Sequence, residues 1–325
     1  MRLHIAMLGL GEYGNLAGGQ TSPEKTEEEE EETMEEPKVE RRRFELQVEP
    51  NVLIRGDVYA SESDAGTPAG ASEPLPVIIL VHGFKGFKDW GFFPYTAKRF
   101  AALGYVAVTF NFSHNGVAAR DFDELQRFGR NTYSREQADL ASVVDAVAAG
   151  RLPLSERMVR EELLLVGHSR GGGNSVIFAA DHPDRLRGVV AWNGIGHADL
   201  FGPAFREQVL REGVGYVANA RTKQEMPIEA VFYEDLDRHR ERFDIPARAA
   251  EAATPMLFIQ GKGDAQRLRD GFEALRAAAP QQRFLELEGA DHTFGARHPF
   301  TETTDALEQA IAATDAFFRE IVGQR

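Results

Sequence analysis

The sequence predicts an α/β fold: a mostly parallel eight-stranded sheet with helices on both faces and a small lid insertion. Three observations carry this. Short continuous apolar runs such as Val77-Ile78-Ile79-Leu80-Val81 recur along the chain, and a strand apolar on both sides is one that is covered on both sides. Helical stretches separate these runs, and that alternation builds parallel sheets. Ahead of them, two segments of alternating polarity are joined by Glu49-Pro50-Asn51, which reads as an antiparallel hairpin.

Taken in order, residues 1–41 form an acidic tail. The first 40 residues hold eleven acids and three bases, a net of −8 out of −14 for the whole chain. The run Glu27 to Glu32, with Glu35 and Glu36, reads as a solvated disordered segment rather than a partner-binding one. Within this tail Gly9-Leu10-Gly11-Glu12-Tyr13-Gly14 matches a dinucleotide-binding pattern. That pattern needs a following helix whose N-terminus meets the pyrophosphate. Gly18-Gly19, Pro23 and the glutamates follow instead, so no cofactor is expected.

The folded domain is expected over 42–325. Residues 43–48 and 52–59 make the hairpin, and the Ser-, Gly-, Ala- and Pro-rich segment 61–76 a surface loop. Buried strands are predicted at 77–81, 106–110, 163–166, 189–192, 256–260 and 284–287. Helices are predicted near 93–103, 135–149, 171–181, 265–279 and 304–322. Ser134-x-x-Gln137 offers the second of these a capping box. The one long interruption, 195–253, is too long for a plain connection and is expected to form a lid or rim over a site. Inside it, 216–221 and 228–233 suggest a second hairpin turning through Lys223-Gln224-Glu225.

Composition closes off several classes. The chain of 325 residues is 42% apolar and has 22 Phe, enough for a sizeable core. It has no Cys, which rules out disulfides, thiolate metal sites and a thiolate nucleophile. No metal, nucleic-acid or membrane partner is indicated: there is no basic stripe, and no run approaches the roughly 18 apolar residues of a membrane span. Arg2 and Ile5-Ala6-Met7-Leu8 imitate a signal peptide only briefly before Glu12. The expected location is cytoplasmic.

The chemistry is expected at Ser169. Gly167-His168-Ser169-Arg170-Gly171 follows a buried strand and opens a helix. A G-x-S-x-G turn there is a nucleophile elbow, which holds the hydroxyl out above the sheet with the helix N-terminus behind it. Serine needs a base, and Asp291-His292 directly after the last strand supplies His292. His298, before Pro299, lies further from the strand end, and His168 is expected to point away from the nucleophile. Asp264 ends the seventh strand and is expected to orient His292. The alternative acid, Asp199, lies seven residues past Trp192 on a loop. The chain order Ser, Asp, His is the one expected for an elbow of this kind. Backbone N–H groups of Phe84 and Arg170 are the candidate oxyanion donors. Phe84, Phe87, Trp90, Phe92 and Phe93 crowd the first of these loops. Most read as core, and one or two as pocket lining.

His82-Gly83-Phe84, Gly167 to Gly171, Gly263-Asp264 and Asp291-His292 resemble the motifs of the α/β-hydrolase superfamily over residues 42–325, in its dienelactone-hydrolase-like and cinnamoyl-esterase-like branches. The resemblance implies a metal-free serine esterase acting on a small-molecule ester. Dienelactone hydrolases proper use a cysteine nucleophile, and this chain has none. The C-terminal part also resembles prolyl-oligopeptidase-type catalytic domains, without their propeller. A peptidase or amidase with the same three residues is the nearest rival, for which Glu225, Glu229 or Glu234 would have to supply an amine-binding acid. A non-catalytic binding protein is disfavoured by the complete Ser-Asp-His set, and haloalkane or epoxide chemistry by the absence of an Asp at the elbow.

Overall fold

The computed structural model describes residues 38–62 and 73–323. Most of the expected acidic tail, the Gly9 to Gly14 motif and most of the 61–76 loop lie outside the described residues.

Eight strands form one sheet: β1 (Val39–Glu49), β2 (Val52–Ser61), β3 (Leu75–Val81), β4 (Val106–Asn111), β5 (Met158–His168), β6 (Gly188–Trp192), β9 (Met256–Gly261) and β10 (Arg283–Leu287). A separate two-stranded hairpin, β7 (Val214–Ala218) and β8 (Glu225–Glu229), completes the strands. The sheet order is β1-β2-β4-β3-β5-β6-β9-β10. Within this sheet, among the described residues, only the β1–β2 and β2–β4 pairs are antiparallel. The helices are α1 (Phe93–Ala102), α2 (Leu125–Gly129), α3 (Tyr133–Ala148), α4 (Arg170–Asp181), α5 (Pro203–Glu212), α6 (Val231–Arg238), α7 (Ile245–Glu251), α8 (Gln266–Ala278) and α9 (Asp305–Val322).

The central strands bury both faces with period two. Val77, Ile79 and Val81 point into one core layer, with α3, α4, α7 and α8, while Ile78 and Leu80 point into the other, with α1 and α9. This is what the unbroken apolar runs demand. The chain runs from β3 out to β4 and returns to β5 on the other side of β3. Such a reversal leaves a crevice beyond the carboxyl ends of the strands, and there the loop after β3 and the start of α4 meet.

Two local expectations are corrected. α3 is capped by Thr132, whose side chain accepts from the Arg135 N–H, rather than by a Ser134–Gln137 box. Ser134 is already helical, and its N–H and hydroxyl both donate to Asp235 on α6 (3.0 and 2.5 Å). The insertion is also more helical than its sequence suggested, because α5, α6 and α7 flank a hairpin that ends at Glu229. Val231, Phe232 and Tyr233 belong to α6, where Phe232, Tyr233 and Leu236 are buried on one face and Val231 is 37% exposed. No helix among the described residues is long and apolar enough to cross a membrane.

Candidate active site

Ser169 stands between the end of β5 and the first residue of α4 with φ 57° and ψ −121°, a conformation a non-glycine residue holds only when its surroundings force it. Its own backbone supplies part of that force. The Ser169 N–H donates to the Trp192 carbonyl (2.9 Å), and its carbonyl accepts from Gly172, Gly173 and Ile195. The flanking glycines supply the rest. A Cβ on Gly167 would stand 2.2 Å from the Gly171 carbonyl oxygen, and one on Gly171 would stand 2.1 Å from that of Val81. Real Cβ atoms do not approach so closely, so the turn closes only with glycine at both positions.

Ser169 Oγ lies 3.1 Å from His292 Nε2, and His292 Nδ1 lies 2.9 Å from Asp264 Oδ2. The three side chains come from the ends of β5, β10 and β9. The Asp264 side chain is 1% exposed and that of His292 36% exposed, so the acid is sealed while the imidazole remains accessible from the cleft. Burial pushes the Asp264 carboxyl up, but hydrogen bonds from His292, Gln260 and the Ala265 N–H outweigh it and hold the group below the usual carboxylate range. A carboxylate so held stays charged through neutral pH, and an imidazole that donates Nδ1–H to it presents a bare Nε2 to the serine.

Asp199 takes no part in this line. Its carboxylate accepts from the Phe201 N–H (3.0 Å) and pairs with Arg206 (3.6 Å). His298 lies in the same cleft as Ser169, but its Nδ1 accepts the Gly91 N–H (2.9 Å) and its ring stacks on Trp90. The loop after β3 runs against the elbow: a Cβ on Gly83 would stand 2.9 Å from Ser169 Cβ and 3.3 Å from the Arg170 nitrogen. Phe84 and Arg170 therefore present their backbones at the same mouth. Among the described residues neither N–H donates to a backbone carbonyl.

Supporting groups fix this geometry; sequence reasoning missed their partners, although His168 turns away from Ser169 as expected. His82 is buried and pushed down to about 4 by burial, so it is neutral. Its Nδ1 donates to the Gly83 carbonyl and its Nε2 accepts the Phe112 N–H, which pins the β3 loop. His168, pushed down to about 3 by burial and then by His292, turns from Ser169 toward the base loop and donates Nε2–H to the His292 carbonyl (2.7 Å). Asn193, at the end of β6, donates to the carbonyls of Asp291 and His292 and accepts the Gly261 N–H. One amide thereby links the loop that carries Asp264 to the loop that carries His292. The signals available were weak: a histidine inside the elbow, and an Asn directly after a strand.

Two cavities meet at Ser169 and His292. One, of about 530 Å³, is walled by Phe84, Trp90, Phe93 and His298 and by Asn219, Ala220 and Arg221 at the tip of the β7–β8 hairpin. The other, of about 400 Å³, is lined by Ile195, Leu200, Ala265 and Leu268. Phe84, Trp90 and Phe93 are thus the pocket aromatics of the β3 loop, while Phe87 and Phe92 do not line either cavity. The insertion contributes to both arms, and Lys85 Nζ donates to the Ala218 carbonyl (3.2 Å) to hold the hairpin over the first. A separate cavity of about 530 Å³ beside Asp199, Arg206 and Asp237 is lined by none of Ser169, Asp264 and His292.

The chain matches the family model of the dienelactone hydrolase family over residues 62–322. A search among curated proteins found no match. Among solved structures, Est1E from Butyrivibrio proteoclasticus superposes with a TM-score of 0.59 at 14% identity, covering 87% of this chain and 99% of that one. The putative dienelactone hydrolase from Klebsiella pneumoniae gives 0.54 at 19% identity, covering 86% and 99%. The Paleococcus ferrophilus monoacylglycerol lipase gives 0.56 at 16%, covering 77% and 97%. At these identities the likeness is one of fold.

Proposed function

This chain belongs to the dienelactone hydrolase family, and from that premise we propose that it is a serine hydrolase cleaving carboxylic esters through Ser169, His292 and Asp264. The observation that carries the reading is the unbroken line from Ser169 Oγ through His292 to the sealed Asp264 carboxylate, at 3.1 and 2.9 Å. It lies at the junction of two largely apolar cavities.

In this mechanism Ser169 Oγ attacks the acyl carbon as its proton passes to His292 Nε2, and the imidazolium is stabilised by Asp264. The tetrahedral oxyanion accepts hydrogen bonds from the Phe84 and Arg170 N–H groups. Collapse expels the alkoxide, which takes the proton from His292. Water then repeats the sequence on the acyl-enzyme, releasing the acid and restoring Ser169. The two cavities divide the substrate between acyl and alcohol portions.

Ester hydrolysis is favoured over the peptidase rival by the lining of the cleft. Lys85, Arg221, Arg297 and Arg267 line the two cavities, and no Asp or Glu does. Glu225, Glu229 and Glu234 are absent from both linings, so a substrate ammonium finds no counter-charge. Neutral or anionic esters suit this cleft. The test is hydrolysis of aryl esters of graded acyl length, with neutral, carboxylate-bearing and amine-bearing acyl groups, beside aminoacyl arylamides. A fluorophosphonate should label Ser169 once and abolish activity. Label elsewhere, or preference for the amine-bearing substrates, would overturn the reading.

A further inference from the structure

We infer that Glu136 is a positioning residue for the reaction: a buried carboxylate on the first turn of α3 that grips the Arg170 side chain and so holds the Arg170 N–H and Ser169 in register. The inference rests on the serine-hydrolase reading above.

Arg170 follows the nucleophile, and its side chain does not point to solvent. It is 3% exposed, and its Nε donates to Glu136 Oε2 at 2.8 Å, the Glu136 side chain being 5% exposed. The guanidinium lies 4.1 Å from the centre of the Tyr133 ring and 5.4 Å from that of Phe232. Glu136 is itself held. Its Oε2 also accepts from Asn174 Nδ2 (2.6 Å), and its Oε1 accepts from Asn131 Nδ2 (2.7 Å). Asn174 is in turn held by Gln137 (2.9 Å). The network thus fastens both the first residue of α4 and the turn above it to α3.

Fold stability alone gives poor reason for this arrangement. The slot between Tyr133 and Phe232 would accept an apolar side chain, and an apolar pair in place of a buried ion pair is often neutral or stabilising. The pair is moreover imperfect, because Arg170 Nη2 is buried with no partner among the described residues, an arrangement that costs stability. A directional bond adds what apolar packing does not: it fixes the rotation of the Arg170 residue, and with it the peptide joining Arg170 to Ser169 at its positive φ. Small displacements there matter, since about 1 Å of misplacement can cost roughly 100-fold in rate.

The decisive variant is the double substitution Glu136→Gln with Arg170→Met, which removes both buried charges and keeps an amide oxygen to accept from Asn174. Glu136→Gln alone leaves the guanidinium uncompensated and can fail by unfolding, so the double variant carries the test. The expected result is a protein melting within a few degrees of wild type, with kcat on an aryl acetate lowered roughly 10- to 100-fold and KM within about threefold. The inhibition constant of an aryl trifluoromethyl ketone, whose Ser169 adduct carries the oxyanion, should rise by the same factor. That of the product acid, a ground-state ligand, should not change. A folded double variant with wild-type kcat, or losses equal for the ketone and the acid, would overturn the inference. Wild-type protein that the fluorophosphonate does not label would instead sink the serine-hydrolase reading on which it rests.

Discussion

Asp264→Asn should lower turnover roughly 10³–10⁴-fold while leaving KM nearly unchanged. The size follows from what surrounds the carboxylate. Oδ2 faces two donors, His292 Nδ1 at 2.9 Å and Gln260 Nε2 at 3.0 Å, and Oδ1 faces the Ala265 N–H at 2.6 Å. An amide has one oxygen for these two positions. With its NH₂ toward His292, the imidazole must accept at Nδ1 and carry its proton on Nε2, where it can no longer take one from Ser169. With its NH₂ toward Ala265, the start of α8 loses a bond and the loop shifts. In either arrangement the counter-charge for the imidazolium is gone. The loss corresponds to about 4–5.5 kcal/mol of transition-state stabilisation. Asp199→Asn is the control and should stay within about tenfold of wild type, because its carboxylate serves Phe201 and Arg206. Steady-state kinetics of both variants on an aryl acetate, with thermal melts to confirm folding, decide the matter. A crippled Asp199→Asn beside an active Asp264→Asn would refute the reasoning.

Four further outcomes follow from packing and charge. Gly171→Ala should lose on the order of 3 kcal/mol or fail to fold, its Cβ meeting the Val81 carbonyl at 2.1 Å. Gly202→Ala, with nothing within 4 Å of its Cβ, should cost under about 1 kcal/mol by urea melts. Stability should fall as the pH drops below about 6.5, because His82 and His168 are held neutral, at about 4 and 3, by burial, whereas the unfolded chain binds those protons. Between pH 7 and 5 each removes roughly 2 kcal/mol, and Asp139, pushed up to about 6 by burial, returns roughly 1 kcal/mol because it gains its proton first in the folded state. A melt midpoint that rises on acidification would contradict this. Finally, Arg221→Ala combined with Arg297→Ala should raise KM roughly tenfold for a carboxylate-bearing ester and leave a neutral acetyl ester within about twofold. Equal effects on both would show that these cations do not touch the substrate.

The central strands of the main sheet were legible because burial on both faces writes itself into consecutive residues, and the β1–β2 hairpin because its polarity alternates. Leu163 to Val166 alternate between the two core layers, so every one of them must be apolar. The five helices α1, α3, α4, α8 and α9, outside the insertion, were legible by the same local logic. The insertion was not. Its sequence lacks long periodic stretches, and Ile228 to Tyr233 passes for a strand if only polarity is read. The alternative signal was present in Phe232, Tyr233 and Leu236, whose three- and four-residue spacing puts all three on one helical face and leaves Val231 out. Ser134-x-x-Gln137 misled for a related reason: Thr132 stood two residues earlier and took the capping role, leaving Ser134 and Gln137 to bond with α6 and α4.

Within the site, the residues read from sequence are those whose position is set by a nearby strand end. Ser169, Asp264 and His292 each lie within five residues of one, so the order of strands was enough to bring them together. The residues that were missed act across the chain. His168 reaches a carbonyl 124 residues away, Asn193 one 99 residues away, and Glu136 a guanidinium 34 residues away. Each is a polar side chain that would be costly to bury alone and has no periodic or spacing signal of its own. None of them is a reacting group in the proposed mechanism: His168 and Asn193 hold the backbone carbonyl of His292, and Glu136 holds the Arg170 side chain. In the proposed reading the three site side chains need only stand at strand ends, whereas their alignment to within a fraction of an ångström requires directional bonds from groups that are themselves fixed. Local pattern therefore finds the candidate residues of this site, and only the three-dimensional contacts reveal what keeps them aligned.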